Sequence, residues 1–257
     1  MTIYWAFVFT LMGAVFGSFF NVLSDRLPAQ KSILKPPSHC PQCETRLKIP
    51  DLIPVVSYIF LRGRCRYCGS PIPKRVLLVE LSSAGMFLGL YLIFGLSPEL
   101  AIALFYFSVL LVILVIDLEH QLVFPVIVYT VAVIVSVINA LTPEMAFTPG
   151  FLNSLAGGVA GLVLFFLIYY LSGKKGIGEG DISLSGLMGF MLGFPSVFVG
   201  IFLAVVTGGI VAVALLMLKL KNRKQAIPFG PFLSLGTMAA LLWGQNILDW
   251  YLGFFGL

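Results

Sequence analysis

Charge is what this sequence has least of. Of its 257 residues only 11% are Asp, Glu, Lys or Arg, while 59% are apolar. A soluble domain carries about 25% charged and about 45–50% apolar residues. The shortfall excludes a soluble globule, whose surface needs polar cover. It also excludes disorder, which requires low hydrophobicity. The layout of a secreted protein, a short apolar leader ahead of a soluble domain, is missing too, because apolar segments recur along the whole sequence. No internal repeat is evident. What is abundant is span-length apolar sequence. A spanning helix needs about 20 mostly apolar residues, and stretches near 2–24, 76–96, 99–117, 124–141, 151–171, 182–194, 196–218 and 229–248 qualify, the sixth being short. The expectation is an all-α polytopic membrane protein with about eight transmembrane helices.

Lys and Arg are absent from the connections near 97, 145, 195 and 250. All 16 lie elsewhere: ten in 26–75, then Lys174 and Lys175, then Lys219, Lys221, Arg223 and Lys224. Those segments follow the first, fifth and seventh spans and so share one side. Positive residues favour the cytoplasmic side, which predicts that segments 26–75, 172–181 and 219–227 are cytoplasmic and both termini extracytoplasmic. The net charge of +5 invites a nucleic-acid reading. In the loop, however, the ten bases against Asp25, Glu44 and Asp51 are explained by positive-inside bias and attraction to anionic lipid. Membrane lipid is therefore the expected partner of this surface, and nucleic acid is not. Three regions follow: 1–24 as a first span, 25–75 as a loop domain and 76–257 as a membrane core.

All four cysteines fall in that loop, as Cys40-Pro-Gln-Cys43 and Cys65-Arg-Tyr-Cys68-Gly69 separated by 21 residues. Two C-x2-C pairs at such a gap suit a tetrahedral zinc site. The loop also holds 8 of the 15 prolines and is too short to build much core, so a metal would staple it. Gly69 suits a left-handed knuckle turn, and His39 is a possible substitute ligand. Two disulfides or four plain thiols are the alternatives; a reducing compartment disfavours the disulfides. Four thiolates leave no open position, so such a metal would be structural.

Two aspartates stand at the edges of apolar segments. Asp117 ends the run Leu110–Ile116, and Asp181 closes Gly176-Ile177-Gly178-Glu179-Gly180-Asp181 ahead of the sixth span. An aspartate at a helix centre costs about 2.5–3.5 kcal/mol on insertion scales, less near an end. The alternating glycines, Gly178 and Gly180 among them, argue against a regular helix there and let an extended chain approach the backbone closely. Two nearby carboxylates do not ionise independently. Such a pair can activate water and protonate a carbonyl, as peptide hydrolysis without a metal requires. Capping by Asp181 and a plain loop charge at Asp117 remain open. So does an ion-coupled transporter with both acids as proton sites, and so does a zinc-loop scaffold without chemistry. The glycines could suggest phosphate binding, but no strand precedes them. Asn21, Asp25 and Glu80 are further polar residues at the spans, and Glu80 is expected to pair with Arg75 or Arg26. Gly157, Gly161, Gly189 and Gly193 form small-xxx-small pairs suited to helix packing.

Taken in order, these residues resemble the type IV prepilin peptidases. The carriers are Gly17-Ser18-Phe19-Phe20-Asn21-Val22 with Arg26-Leu27-Pro28, the cysteine pairs, Leu61-Arg62-Gly63-Arg64-Cys65-Arg66, Leu78-Val79-Glu80-Leu81, Ile116-Asp117-Leu118-Glu119-His120, Gly178-Glu179-Gly180-Asp181 and Ile227-Pro228-Phe229-Gly230-Pro231-Phe232. Two departures are Ser183, where a lysine is common, and Leu122-Val123-Phe124-Pro125, which lacks a common acid after the proline. The resemblance implies a multi-pass aspartic endopeptidase of the bacterial inner membrane, with Asp117 and Asp181 catalytic and Gly178 and Gly180 as supporting backbone. Its substrates would be type IV prepilins and pseudopilins of pilus assembly and protein secretion, cut at the basic leader on the cytoplasmic face. Many such enzymes also methylate the new amino terminus with S-adenosylmethionine. A loop carrying net +7 would repel a basic leader, so Glu119 and Glu179, or apolar packing of the pilin helix, are the expected leader contacts.

Overall fold

Among the described residues, eight helices of 14 residues or more overlap the eight apolar stretches, and not all of them are long enough to span a membrane. The computed structural model describes residues 2–142, 148–173, 178–220 and 227–254. Its long helices are α1 (Thr2–Arg26), α3 (Lys74–Phe94), α4 (Pro98–His120), α5 (Pro125–Leu141), α6 (Phe151–Leu171), α7 (Glu179–Leu192), α8 (Ser196–Met217) and α9 (Gly230–Phe254). The short helix α2 (Val56–Phe60) and a 3-10 turn at Ile49–Asp51 lie in the loop between α1 and α3. Among the described residues there are only two isolated β-bridges, at His39–Arg46 and Arg64–Pro71. Five helices, α1, α3, α4, α6 and α8, are long and apolar enough to cross a membrane, and α5 is a shorter apolar helix. The chain is therefore an all-helical, multi-pass membrane protein. At 14 residues, α7 spans only about 21 Å, less than the hydrocarbon core of about 30 Å. Lys174, Lys175, Lys221, Arg223 and Lys224, on which the orientation partly rests, lie outside the described residues.

The chain forms two compact units, Met1–Val115 and Ile116–Leu257. In the first, α1 packs along α3. A Cβ on Gly17 would stand 2.7 Å from the Cα of Glu80, so the two helices touch backbone to backbone. Asn21 Nδ2 donates to the carbonyl of Val76 (3.1 Å), and Arg75 pairs with Asp25 (2.6 Å). The expected pairing of Glu80 with Arg75 or Arg26 is thus replaced. Glu80 accepts the backbone N–H of Val55 (2.6 Å), while Arg26 donates to the carbonyls of Ser32, Ile33 and Pro36. Both changes have one cause: the loop folds back over the helix ends and presents backbone groups nearer than any opposite charge.

In the second unit α7 is the hub, meeting α5, α6, α8 and α9. The small-residue pairs do pack: Gly157 and Gly189 meet backbone to backbone, as do Gly161 and Ser185. Such approach gives van der Waals contact and helix-to-helix hydrogen bonds where water is absent. One of these runs from Ser185 Oγ to the carbonyl of Gly161 (3.1 Å). A second polar cluster ties three helices, with buried Asn139 donating to Ser154 Oγ and to the carbonyl of Phe190, both at 2.9 Å.

The alternating glycines were expected to keep this stretch out of regular helix, yet helix begins one residue after Gly178. That glycine is the N-cap (φ −73°, ψ 148°), and Glu179, Gly180 and Asp181 form the first turn of α7. Asp181 Oδ2 accepts the N–H of Gly178 (3.3 Å). First-turn amides lack intrahelical partners, so a returning carboxylate offsets the propensity cost of Gly180.

Candidate active site and metal centre

The cysteine loop is built from two copies of one turn. In the first, Glu44 N–H donates to the Cys40 carbonyl (2.9 Å) and Cys40 N–H to the Thr45 carbonyl (3.0 Å). In the second, Gly69 N–H donates to Cys65 (2.9 Å) and Cys65 N–H to Ser70 (2.8 Å). Glu44 and Gly69 occupy the same left-handed position, at φ +55° and +73°. A β-bridge flanks each turn. The repeat escapes a reading by composition because only Cys-x-x-Cys-x-Thr/Ser recurs.

The four sulfurs converge, all within 4.8 Å of one another, and none is in a disulfide. Cys40 Sγ and Cys68 Sγ stand 3.8 Å apart. A tetrahedral ion with metal–sulfur bonds of about 2.3 Å separates its ligands by about 3.8 Å, so the cluster fits a metal. Electrostatics agree. Backbone N–H groups of Cys43 and Gln42, with the Ser70 hydroxyl, pull the Cys40 thiol down to about 6. The Ser70 hydroxyl likewise lowers Cys68. Cys65 is raised: amides of Cys68 and Tyr67 act to lower it, but burial and the neighbouring sulfurs outweigh them. Four thiolates without a cation repel one another, which a bound metal would relieve. His39 is outside the cluster, its Nδ1 lying 3.0 Å from the carbonyl of Pro37. Behind the second turn, Asp51 accepts from Arg66 Nε (2.5 Å), Tyr67 Oη (2.9 Å) and Lys48 N–H (3.1 Å). Burial would raise the Asp51 carboxyl, yet these donors hold it below the usual carboxylate range.

The two aspartates belong to the second unit, Asp117 near the C-terminal end of α4 and Asp181 in the first turn of α7. Asp117 is buried rather than a loop charge, 5% exposed, and its Oδ2 has no hydrogen-bond partner. Asp181 is half-buried and does cap its own helix, as one alternative held, but with Oδ2 alone. Glycines set the closeness of the walls. A Cβ on Gly230 would lie 2.5 Å from Asp117 Oδ2, and one on Gly180 would lie 2.6 Å from the Cβ of Val123. The C-terminal segment of the resemblance contains Gly230, but nothing in its pattern assigns that residue a place beside Asp117.

Other residues singled out in the sequence lie near these in the chain. Ser183, at the first departure from the family pattern, is buried with its Oγ 3.3 Å from Tyr129 Oη. Glu179 accepts from Tyr169 Oη (2.9 Å), and Glu119 is exposed.

Two family models match the chain: the Bacterial Peptidase A24 N-terminal domain over residues 11–94 and the Type IV leader peptidase family over 104–213. Curated relatives named "Prepilin leader peptidase/N-methyltransferase" include one from Bacillus subtilis (strain 168), 29% identical, covering 94% of this chain and 96% of the relative. The relative from Legionella pneumophila is 32% identical over 87% of this chain and 78% of its own length. That from Pseudomonas aeruginosa is 30% identical over 96% and 93%. No solved structure matches the chain significantly. With such identity maintained over nearly the full length of both proteins, this chain belongs to the type IV leader peptidase family.

Proposed function

We propose that this chain is a membrane aspartic endopeptidase that removes the leader of type IV prepilins and pseudopilins, using Asp117 and Asp181 as one acid–base pair. What supports the assignment is that the segment matched by the leader peptidase family, residues 104–213, holds both acids, and that Asp117 is buried. Two such groups share a proton. The ionised member takes a proton from water as the oxygen attacks the scissile carbonyl carbon. The protonated member gives its proton to the carbonyl oxygen, and a gem-diol forms. Return of a proton to the amide nitrogen then breaks the carbon–nitrogen bond and releases a carboxyl and an amine. Gly178 and Gly180 supply the turn that presents Asp181. The transport alternative finds no support in the relatives named above, which carry peptidase names.

The reading extends to the setting. The protein resides in the bacterial inner membrane with both termini extracytoplasmic, and cleavage takes place on the cytoplasmic face. Residues 1–24 form the first span, 25–75 the metal-holding loop and 76–257 the peptidase core. Cys40, Cys43, Cys65 and Cys68 hold zinc, which would join the two turns and leave no position open for substrate. Methylation of the new amino terminus, with S-adenosylmethionine as methyl donor, follows from the relatives' names, and no residue is assigned to that step. One experiment tests the core of the reading: purified protein is incubated with a prepilin and the products are weighed. A leader-sized loss is expected, with a further methyl gain when the cofactor is added. An intact prepilin would overturn the peptidase reading.

A further inference from the structure

Between Asp51 and Arg62 the loop runs ten residues without a charge, Leu52 to Leu61, and then carries Arg62, Arg64 and Arg66. The exposed positions in this stretch are all apolar: Leu52, Ile53, Val56, Ile59 and Phe60, the last 83% exposed. Val56, Ile59 and Phe60 lie on the exposed side of α2, and Leu52 and Ile53 lie in the turn before it. A water-facing loop does not keep such a stripe uncovered without cause.

The depth of this segment is fixed by a buried side chain. Glu80, 4% exposed, lies six residues into α3, about 9 Å along its axis. Its carboxylate accepts Val55 N–H at 2.6 Å and meets the Ser18 hydroxyl of α1. The helix ends are marked by the Arg75–Asp25 pair, so Val55 is held within the first two turns of a spanning helix. Lipid-facing α3 residues at that level, Leu78 and Leu81, are themselves exposed and apolar. Val55 is also strained. Its φ of 63° and ψ of −52° make a positive-φ γ-turn, closed by Val56 N–H on the Pro54 carbonyl at 2.6 Å. A β-branched residue adopts this conformation only when its surroundings impose it, and the Glu80 bond is that constraint.

We propose that residues 52–61 form an interfacial element immersed at the headgroup–acyl boundary, moored there by Glu80, with the exposed Arg62 and Arg64 facing anionic headgroups. Apolar insertion beside basic residues is the recognised mode of binding an anionic membrane surface. Glu80 acts as a positioning residue. The inference rests on α1 and α3 spanning the membrane and is independent of the catalytic assignment.

The test uses the full chain in vesicles of phosphatidylethanolamine and phosphatidylglycerol, without substrate. The photo-reactive residue p-benzoylphenylalanine replaces Phe60, Leu78 or Gln42 in separate preparations, and adducts are identified by mass. Lipid adducts at position 60 should match those at Leu78, the α3 control, and those at Gln42, in the first cysteine turn, should be largely lost. Glu80→Ala should reduce the Phe60 adducts toward the Gln42 level and leave Leu78 unchanged, whereas Glu80→Gln, which keeps an acceptor for Val55 N–H, should retain them. Three results would overturn the proposal: a Phe60 yield no higher than that of Gln42, adducts to a second copy of the chain, or prepilin adducts replacing lipid when a prepilin is added. An unaltered yield in Glu80→Ala would remove Glu80 as the mooring.

Discussion

The cysteine loop and the aspartate-bearing helices solve the same problem, holding a few polar atoms in fixed geometry, by opposite means. In the loop almost every constraint is local: two six-residue turns, each closed by its own backbone hydrogen bonds. In the helical unit nearly every constraint is remote, as Gly230 reaches Asp117 and Gly180 reaches Val123 across sequence separations of tens of residues. A local device is robust once its metal is present, because metal binding is itself folding free energy. A remote device depends on helix packing throughout and leaves little room for change. Changes in the loop should therefore act on stability and metal content, and changes among the helices on chemistry.

The largest expected effect is on the acid pair. Asp117→Asn and Asp181→Asn should each lower prepilin cleavage by at least about 10²–10⁴-fold, and the double variant should fall little further because the two act as a unit. Asparagine can still accept the Gly178 N–H, so Asp181→Asn should insert and accumulate normally. Cleavage assays with membrane abundance measured in parallel check both points; near-normal turnover in either variant would dissolve the contrast drawn above.

Next come the cysteines. Structural zinc contributes roughly 10–16 kcal/mol in small peptides, so Cys43→Ser and Cys68→Ser should lose the metal and expose the loop to protease while the helices remain intact. Metal analysis and limited proteolysis provide the readouts. Unchanged metal content would rule out the four-thiolate site.

Gly230→Ala should be intermediate. Its Cβ would lie 2.5 Å from Asp117 Oδ2, and overpacking of this kind costs about 1–3 kcal/mol, equivalent to about tenfold or more in rate. Gly180→Ala should be milder in its effect on chemistry, since its Cβ would crowd Val123 and not the Asp117 carboxylate. Comparing kcat for the two sharpens the claim that remote contacts set the chemistry; a larger loss in Gly180→Ala would reverse it.

The smallest effect is expected at Asp51. Asp51→Asn should weaken zinc affinity by about tenfold, as loss of an outer partner to a metal site does, because Arg66 and Tyr67, the residues between Cys65 and Cys68, are oriented by this carboxylate. Its folded value is depressed below 3.8. Its contribution is therefore complete above that value and is lost as pH falls through the lower folded one, so the wild-type-to-variant ratio should be flat from pH 5 to 8. Zinc titrations across that range would reveal any slope.

The same contrast explains how much could be read from the sequence. The eight helices and the four-cysteine site are legible because each is encoded locally, in apolar run length and in C-x2-C spacing. The start of α7 is misread because glycine propensity argues against helix, while the returning bond from Asp181 to Gly178 depends on three-dimensional geometry. Glu80 suggests pairing with an arginine, yet it accepts the amide of Val55, a group that every residue but proline carries and no pattern marks. Gly230 stands inside a recognisable segment, but its closeness to Asp117 arises only when α9 packs in the second unit. The polar link between Ser183 and Tyr129 is hidden for the same reason.

The contact between Gly230 and Asp117 has one more consequence. The surface facing that carboxylate is main chain, and every amino acid has the same main chain. Selection cannot tune this wall by exchanging one side chain for another, since any atom beyond hydrogen at position 230 would intrude on the acid. On the proposed assignment, variation between substrates would fall to positions other than 230, and the main chain against Asp117 would stay fixed.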